Sequence, residues 1–202
     1  GYLTLDWDKT TDELSKANSS SKNIFARIPN LKIRECFISN IQNRFNTEIV
    51  TDSVADSLAN NLFKGAADSA SDTIFDLLQN YISIRDSATK APHENYYHGF
   101  LNGLFSNCSK GFFSEYHSNS ESGDGYADII FKSKRRDKVV IIEIKTCSGN
   151  ESKKAKAREA LSQIEAKNYA KPYLDDEDVS LVYAYGISFI RKDCDVSVKR
   201  LK

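Results

Sequence analysis

Apolar residues recur every three or four positions in the first half of the chain and alternate with polar ones, or run together in short blocks, in the second half. From Lys32 to about Tyr81, Ile33, Phe37, Ile41 and Phe45, and later Ile74, Leu77 and Leu78, fall at helical spacing, which predicts helices with one buried stripe. A further helix is predicted from Pro92, a residue tolerated at a first helical position, to about Asn107. The period then changes. Gly111 to His117, Tyr126 to Phe131 and Lys138 to Lys145 are rich in aromatic and β-branched residues and read as strands, with the Ser/Asn/Gly-rich stretch Ser118 to Gly125 read as a loop. A helix from about Glu151 to Ala170, stopped near Pro172, precedes two more strands, Val179 to Ile190 and Val196 to Leu201. Three strands, a crossover helix and returning strands predict an α/β fold, a mixed central sheet flanked by helices and preceded by a helical segment. The division is 1–90, a mainly helical N-terminal segment or linker, and 91–202, the α/β domain.

The 202 residues are enough for a self-sufficient core, and 40% hydrophobic with 28% charged residues is ordinary for a globular chain. No apolar run approaches the roughly 20 residues of a membrane helix, and no signal-peptide leader opens the chain, so a cytosolic setting is expected. Cys36, Cys108, Cys147 and Cys194 are scattered, without a CxxC pair or a histidine at zinc-ligand spacing, and read as reduced thiols. The absence of Met, with Gly-Tyr at the start, reads as a piece excised from something longer.

Net charge is zero, which counts against a general polyanion binder. Two basic clusters, Lys132 to Lys138 and Lys153 to Arg158, stand against an acidic run from Asp175 to Asp178, and such runs are most often solvated faces. No GxxxxGK[ST] segment and no GxGxxG opening a helix is present, so ATP or dinucleotide binding by those means is not expected. His93 and His117 have no recognisable partner arrangement.

The chemistry concentrates on two predicted strands. Period two puts Val139, Ile141, Glu143 and Lys145 on one face of Lys138 to Lys145, so a carboxylate and an ammonium emerge together at the end of an otherwise apolar strand. Alone, that triplet also describes an ordinary ion pair. The preceding strand carries Asp128 inside Ala127-Asp128-Ile129-Ile130-Phe131, where an unpaired acid is expensive to bury. Two carboxylates on neighbouring strands suit a shared hard cation such as Mg²⁺, which takes oxygen ligands and keeps several waters. On the helix after Pro92, Glu94 and His98 align with Leu101 and Phe105 on one face that turns polar at its end. On the later helix Lys156, Ala160, Gln163, Lys167 and Lys171 fall on one side, placing Gln163 among positive charges that could neutralise phosphates. Tyr169 could stack on a base or pack against the sheet.

These residues, in order, resemble the PD-(D/E)xK nuclease superfamily, specifically the domain found C-terminal to AAA-ATPase-like domains in bacterial proteins. The match comprises Glu94-x-x-Tyr97-His98, Ser114-Glu115, Ser122-Gly123-Asp124-Gly125-Tyr126-Ala127-Asp128 and Ile142-Glu143-Ile144-Lys145. It continues with Ala160-Leu161-x-Gln163-Ile164-x-x-Lys167-x-Tyr169-Ala170 and Gly186-Ile187-Ser188-Phe189. Tyr2-Leu3-Thr4 and Ile28-Pro29-Asn30 look like the junction after an ATPase-like part. One position departs: such domains often carry Arg where this chain has Tyr126, which removes a phosphate or carboxylate partner without touching a metal ligand.

The resemblance implies a restriction-endonuclease-like core and hydrolysis of nucleic-acid phosphodiesters, DNA first and RNA as the alternative, with Mg²⁺ or Mn²⁺. It implies that Asp128 and Glu143 ligate the metal, with the Ile144 carbonyl as a further ligand and Glu94 as the candidate for a second ion. Lys145 would position or activate water and Gln163 would contact water or substrate. His98, Tyr126, Lys156, Lys167 and Tyr169 are the substrate-side candidates. An upstream AAA-ATPase-like partner, a homodimer for double-strand cleavage, and a cytoplasmic or secreted-effector setting follow from the same likeness. Two alternatives compete: a catalytically silent module binding nucleic acid or protein, and a regulatory domain whose helices between Lys32 and Tyr81 expose a long apolar stripe.

Overall fold

In a computed structural model, the structure describes residues 4–5, 26–27, 52–81 and 93–202. The chain forms two compact units, Gly1–Ile49 and Val50–Lys202. Within the first, β1 (Thr4–Leu5) pairs antiparallel with β2 (Ala26–Arg27). The stripe Ile33, Phe37, Ile41 and Phe45 and the segment Ile28-Pro29-Asn30 lie outside the described residues.

The second unit contains α1 (Asp52–Leu62), α2 (Ala67–Tyr81), α3 (His93–Phe105), α4 (Lys153–Ala166) and the short α5 (Lys171–Leu174). These surround a five-stranded sheet in sequential order: β3 (Phe113–Ser122), β4 (Gly125–Ser133), β5 (Lys138–Thr146), β6 (Leu181–Ile190) and β7 (Asp193–Arg200). Only β5 and β6 run parallel, and the α4 crossover joins them; the other neighbours are antiparallel. This is the mixed α/β sheet of a restriction-endonuclease-like fold. Among the described residues no helix is long and apolar enough to cross a membrane.

Apolar spacing builds both layers. On α1, Ala55, Leu58, Ala59 and Leu62 are fully buried, as are Ala70, Ile74 and Leu78 on α2. The exposed stripe expected of a regulatory module is thus buried along these two helices. They also bond to the sheet: the Tyr185 hydroxyl donates to the Leu62 carbonyl at 2.8 Å, and Gln79 Nε2 donates to the Lys192 carbonyl at 2.8 Å. Phe131 meets Phe63, Phe105 and Phe113 at ring-centre distances of 5.2, 5.2 and 4.7 Å. The other face of the sheet packs Ile130, Val139, Ile141, Val182 and Ala184 with Ile164 of α4. Burying such side chains stabilises by about 1.5–3 kcal/mol each.

Two boundaries differ from the sequence reading. The stretch Ser118 to Gly125 is not a loop through its length: β3 continues to Ser122, and the chain reverses at Gly123 and Asp124. Pairing with β4 satisfies a backbone whose side-chain composition mimics a loop. The long helix ends at Ala166, not Ala170, because Asn168 adopts a left-handed φ of 53°, a conformation Asn tolerates at helix ends.

Candidate active site

The site lies where β4 and β5 part. Their ladder pairs Ile129 with Ile142 and Ile130 with Ile141, but one residue further on Asp128 uses its side chain instead: its Oδ2 accepts from the Ile144 amide at 2.7 Å. A carboxylate thus takes up an amide that backbone pairing leaves free, and is fixed beside Glu143 by that bond.

Glu143 is 3% exposed, on the face of β5 that packs against α4. Its Oε1 accepts from Gln163 Nε2, and Lys145 Nζ stands 3.7 Å from the same oxygen. Its Oε2 is buried with no hydrogen-bond partner. Lys145 also lies 3.6 Å from Glu94 Oε1 of α3, so the ammonium bridges two carboxylates. Burial first, then the Asp128 charge, pushes the Glu143 carboxyl up to about 8 against the opposing pull of Lys145. Asp128 is likewise raised, chiefly by burial, with the Ile144 amide, His98 and Lys145 acting in the other direction. Three acids gathered around one lysine leave the cluster short of positive charge.

Backbone proximity allows this crowding. Gly186 of β6 is the ladder partner of Glu143, and a Cβ built there would lie 1.9 Å from the Ala157 carbonyl oxygen of α4. The helix therefore rests on the strand backbone, which brings Gln163 to Glu143. Its first turn is held by Ser152, whose side chain accepts from the Ala155 amide, and by Ser188 Oγ, which donates to the Lys153 carbonyl at 2.8 Å. Its far end grips the β3–β4 turn. The Asp124 amide donates to the Lys167 carbonyl at 2.8 Å, and Ser122 Oγ donates to the Tyr169 carbonyl at 2.8 Å. A side chain at Gly123, φ 57°, would strike the Asn168 and Lys167 carbonyls at 2.3 and 2.4 Å.

From the opposite side, His98 Nε2 sits 3.0 Å from the Asp128 carbonyl oxygen and 3.1 Å from Ser118 Oγ. A carbonyl only accepts, so Nε2 carries the hydrogen in this bond, and His98 fixes the backbone of Asp128. Asn102 Nδ2 donates to Ser118 Oγ at 2.7 Å, while the Tyr116 hydroxyl donates to Asn102 Oδ1.

The structure therefore brings together Asp128, Glu143, Lys145, Gln163, Glu94 and His98. It does not bring in the remaining candidates in the same way. Tyr126 is 65% exposed at the start of β4. Lys156 is engaged by Glu151 at 3.3 Å and Glu159 at 3.0 Å, and the Lys167 side chain is exposed. Tyr169, 2% exposed, packs in the core on the α4 side, so its ring supports the sheet and is not free to stack on a base. Sequence reasoning missed Asn102 and Ser118. Asn102 follows His98 by one helical turn, and that spacing was the available signal.

The donor chemistry fits a hard divalent cation: two adjacent carboxylates, one with a buried unpartnered oxygen, both raised chiefly by burial, so that an arriving positive charge favours their ionised forms. Among the described residues no three His, Cys, Asp or Glu side chains converge as a metal cage. Glu94 is paired with Lys145 and does not join Asp128 and Glu143 as a third ligand.

A family model described as PD-(D/E)XK nuclease superfamily matches residues 92–199. No curated protein matches the chain.

Proposed function

The chain belongs to the PD-(D/E)XK nuclease superfamily, and from that premise we propose that it hydrolyses phosphodiester bonds of nucleic acid, DNA in the first instance, with Mg²⁺ held by Asp128 and Glu143. The observation that carries this reading is the buried, unpartnered Oε2 of Glu143 beside the Asp128 carboxylate. An orphaned acceptor among like charges is costly to keep unless a cation serves it. Bound there, Mg²⁺ would polarise a phosphoryl oxygen and favour ionisation of a ligated water.

The other roles fall to the chain itself. Asp128 is held by the Ile144 amide and, through its own carbonyl, by His98, so its carboxylate would hold the ion without first being reordered. Gln163 holds one oxygen of Glu143 and so would leave the other for the ion. Lys145, between Glu94 and Glu143, would stabilise charge developing on the phosphate and orient the attacking water. Glu94 holds Lys145 in register. Were a second ion bound, Glu94 would be the side chain to hold it, in exchange for its contact with Lys145.

The test incubates the chain with labelled single- and double-stranded DNA and RNA in Mg²⁺, Mn²⁺ or EDTA, beside folded Asp128→Ala and Lys145→Ala variants. Metal-dependent cutting of one substrate class, lost in both variants, is the expected result. If no substrate is cut under any metal condition while binding survives, the chain is a silent module and the catalytic reading fails.

A further inference from the structure

The basic cluster between Lys132 and Lys138 has no part in the site described above. It forms the turn between β4 and β5, at the opposite end of both strands from the acids. Ser133 is five residues from Asp128 and Lys138 five from Glu143, about 17 Å of extended chain in each case. Beside this turn lies a cavity of about 450 Å³ whose lining includes Lys110, Phe112, Lys134, Arg135 and Lys138. That volume is in the range of small-molecule sites.

The charges in this cavity are unbalanced. Its lining holds four cationic side chains and a single carboxylate, Asp137, whose Oδ1 accepts from Ser133 Oγ at 2.7 Å. Among the described residues none of the four cations forms an ion pair. Three other lysines of the chain's two basic clusters behave otherwise. Lys132 alternates to the other face of β4 and pairs with Asp176 at 2.8 Å, while Lys153 and Lys156 pair with Asp193 and Glu159.

The frame that holds these cations is also fixed in advance. The Arg136 amide donates to the Ser133 carbonyl at 2.8 Å, with Arg136 at φ 63°, and the Ser180 amide donates to the Asp137 carbonyl at 2.8 Å. The facing loop is tied to α1, where the Ser109 amide donates to Asp56 Oδ1 at 2.8 Å, and is closed by the Phe112 amide on the Ser109 carbonyl at 2.9 Å. Unpaired like charges carried on bonded turns repel one another until an anion enters, and little ordering remains to be done when it does. Phe112, partly exposed, adds a ring to the wall, stacked on Phe63 at 6.5 Å. A flat ring beside phosphate-binding cations is the combination that nucleotides recognise.

We propose that this cavity is a second anion site that binds the phosphates of a nucleotide between Lys110 of one loop and Lys134, Arg135 and Lys138 of the other, with Phe112 beside the base. The nucleotide is either free or the phosphorylated terminal unit of a nucleic-acid strand. The proposal does not depend on the catalytic reading, because it uses none of the acids.

Isothermal titration of the full chain in EDTA tests it with four probes: ADP, inorganic pyrophosphate, and an oligonucleotide with and without a 5′-phosphate. ADP should bind more tightly than pyrophosphate. The Lys134→Ala/Arg135→Ala double variant and, separately, Lys110→Glu should each raise Kd at least about tenfold with an unchanged circular dichroism spectrum. Asp128→Asn should leave the affinity as it was. A strand that binds more tightly for having its 5′-phosphate identifies the terminal unit as the ligand, and equal binding of the two strands identifies the free nucleotide. The proposal is overturned if no probe binds, if the turn and loop variants leave Kd unmoved, or if Asp128→Asn moves Kd as far as the turn variant is expected to, which would place the anion at the acidic cluster.

Discussion

Gly186 stands across the β5–β6 ladder from Glu143, and the space its side chain would occupy is filled by the Ala157 carbonyl of α4. The acid and the glycine form a unit: one supplies the charge, and the other lets the helix close enough for Gln163 to reach that charge.

Gly186→Ala should therefore be among the most damaging single-methyl additions in the molecule. Both atoms in the way are backbone, the Ala157 oxygen at 1.9 Å and the Leu161 nitrogen at 2.5 Å, so no side chain can rotate aside and α4 must shift. Overpacking of this kind costs about 1–3 kcal/mol. Urea denaturation should show that loss, and nucleic-acid cleavage should fall at least as far as it does in Gln163→Ala.

The metal-free chain should lose stability as pH rises. Glu143 titrates near 8 in the folded state against an ordinary 4.5, so between those values the folded form binds more protons than the unfolded one. Stability contributed by the neutral carboxyl is present below about 4.5 and declines as pH climbs through 8. Asp128, also raised, adds in the same direction. Thermal denaturation in EDTA should give a Tm that falls from about pH 5 to pH 8. Glu143→Gln should flatten that fall, and Mg²⁺ should offset it most strongly at the alkaline end. A Tm in EDTA that rises over this interval would contradict the raised proton affinity of the pair.

Lys145→Ala should reduce turnover by about 10²–10³-fold while leaving a folded chain, the scale on which removal of one electrostatic transition-state contact is felt. The same substitution leaves Glu94, Glu143 and Asp128 without their shared cation. In EDTA its Tm should therefore drop further below the parent at high pH than at low pH, a signature that a purely structural lysine would not give.

Tyr97→Phe isolates one hydrogen bond. The hydroxyl donates to the Arg191 carbonyl at 2.7 Å, and the ring stacks on Phe189 with centroids 4.4 Å apart. Burial pushes the phenol up to about 12, so it remains a donor across the neutral range. The substitution keeps the stack and removes the anchor of a turn in which Arg191 holds φ 53°. About 1 kcal/mol of stability should be lost, read from chemical denaturation.

The strands that carry the acids were legible because their apolar alternation is local: Glu143 and Lys145 share a face by parity alone, and Asp128 stands out as an acid inside an apolar run. What remained hidden depends on distant chain. The continuation of β3 to Ser122 rests on a partner strand that a Ser/Asn-rich composition does not announce. The burial of Tyr169 and the engagement of Lys156 by two glutamates turn on which side of α4 meets the sheet. The bond from Asp128 to the Ile144 amide could not be foreseen from periodicity, since it exists only because the ladder stops one residue earlier.

The single parallel pairing in the sheet also sets an order of assembly. The β3–β4–β5 meander closes through turns of a few residues, whereas β6 reaches β5 only after the chain has travelled out through α4 and back, and the entropy of closing a long loop delays such contacts. Asp128 and Glu143 thus meet early in folding, while Gln163 and Gly186 arrive with the crossover. For that interval the acids have Lys145 beside them but not Gln163, and closing α4 completes the burial of Glu143, so folding of the β5–β6 half should be the step that dissolved divalent cations accelerate.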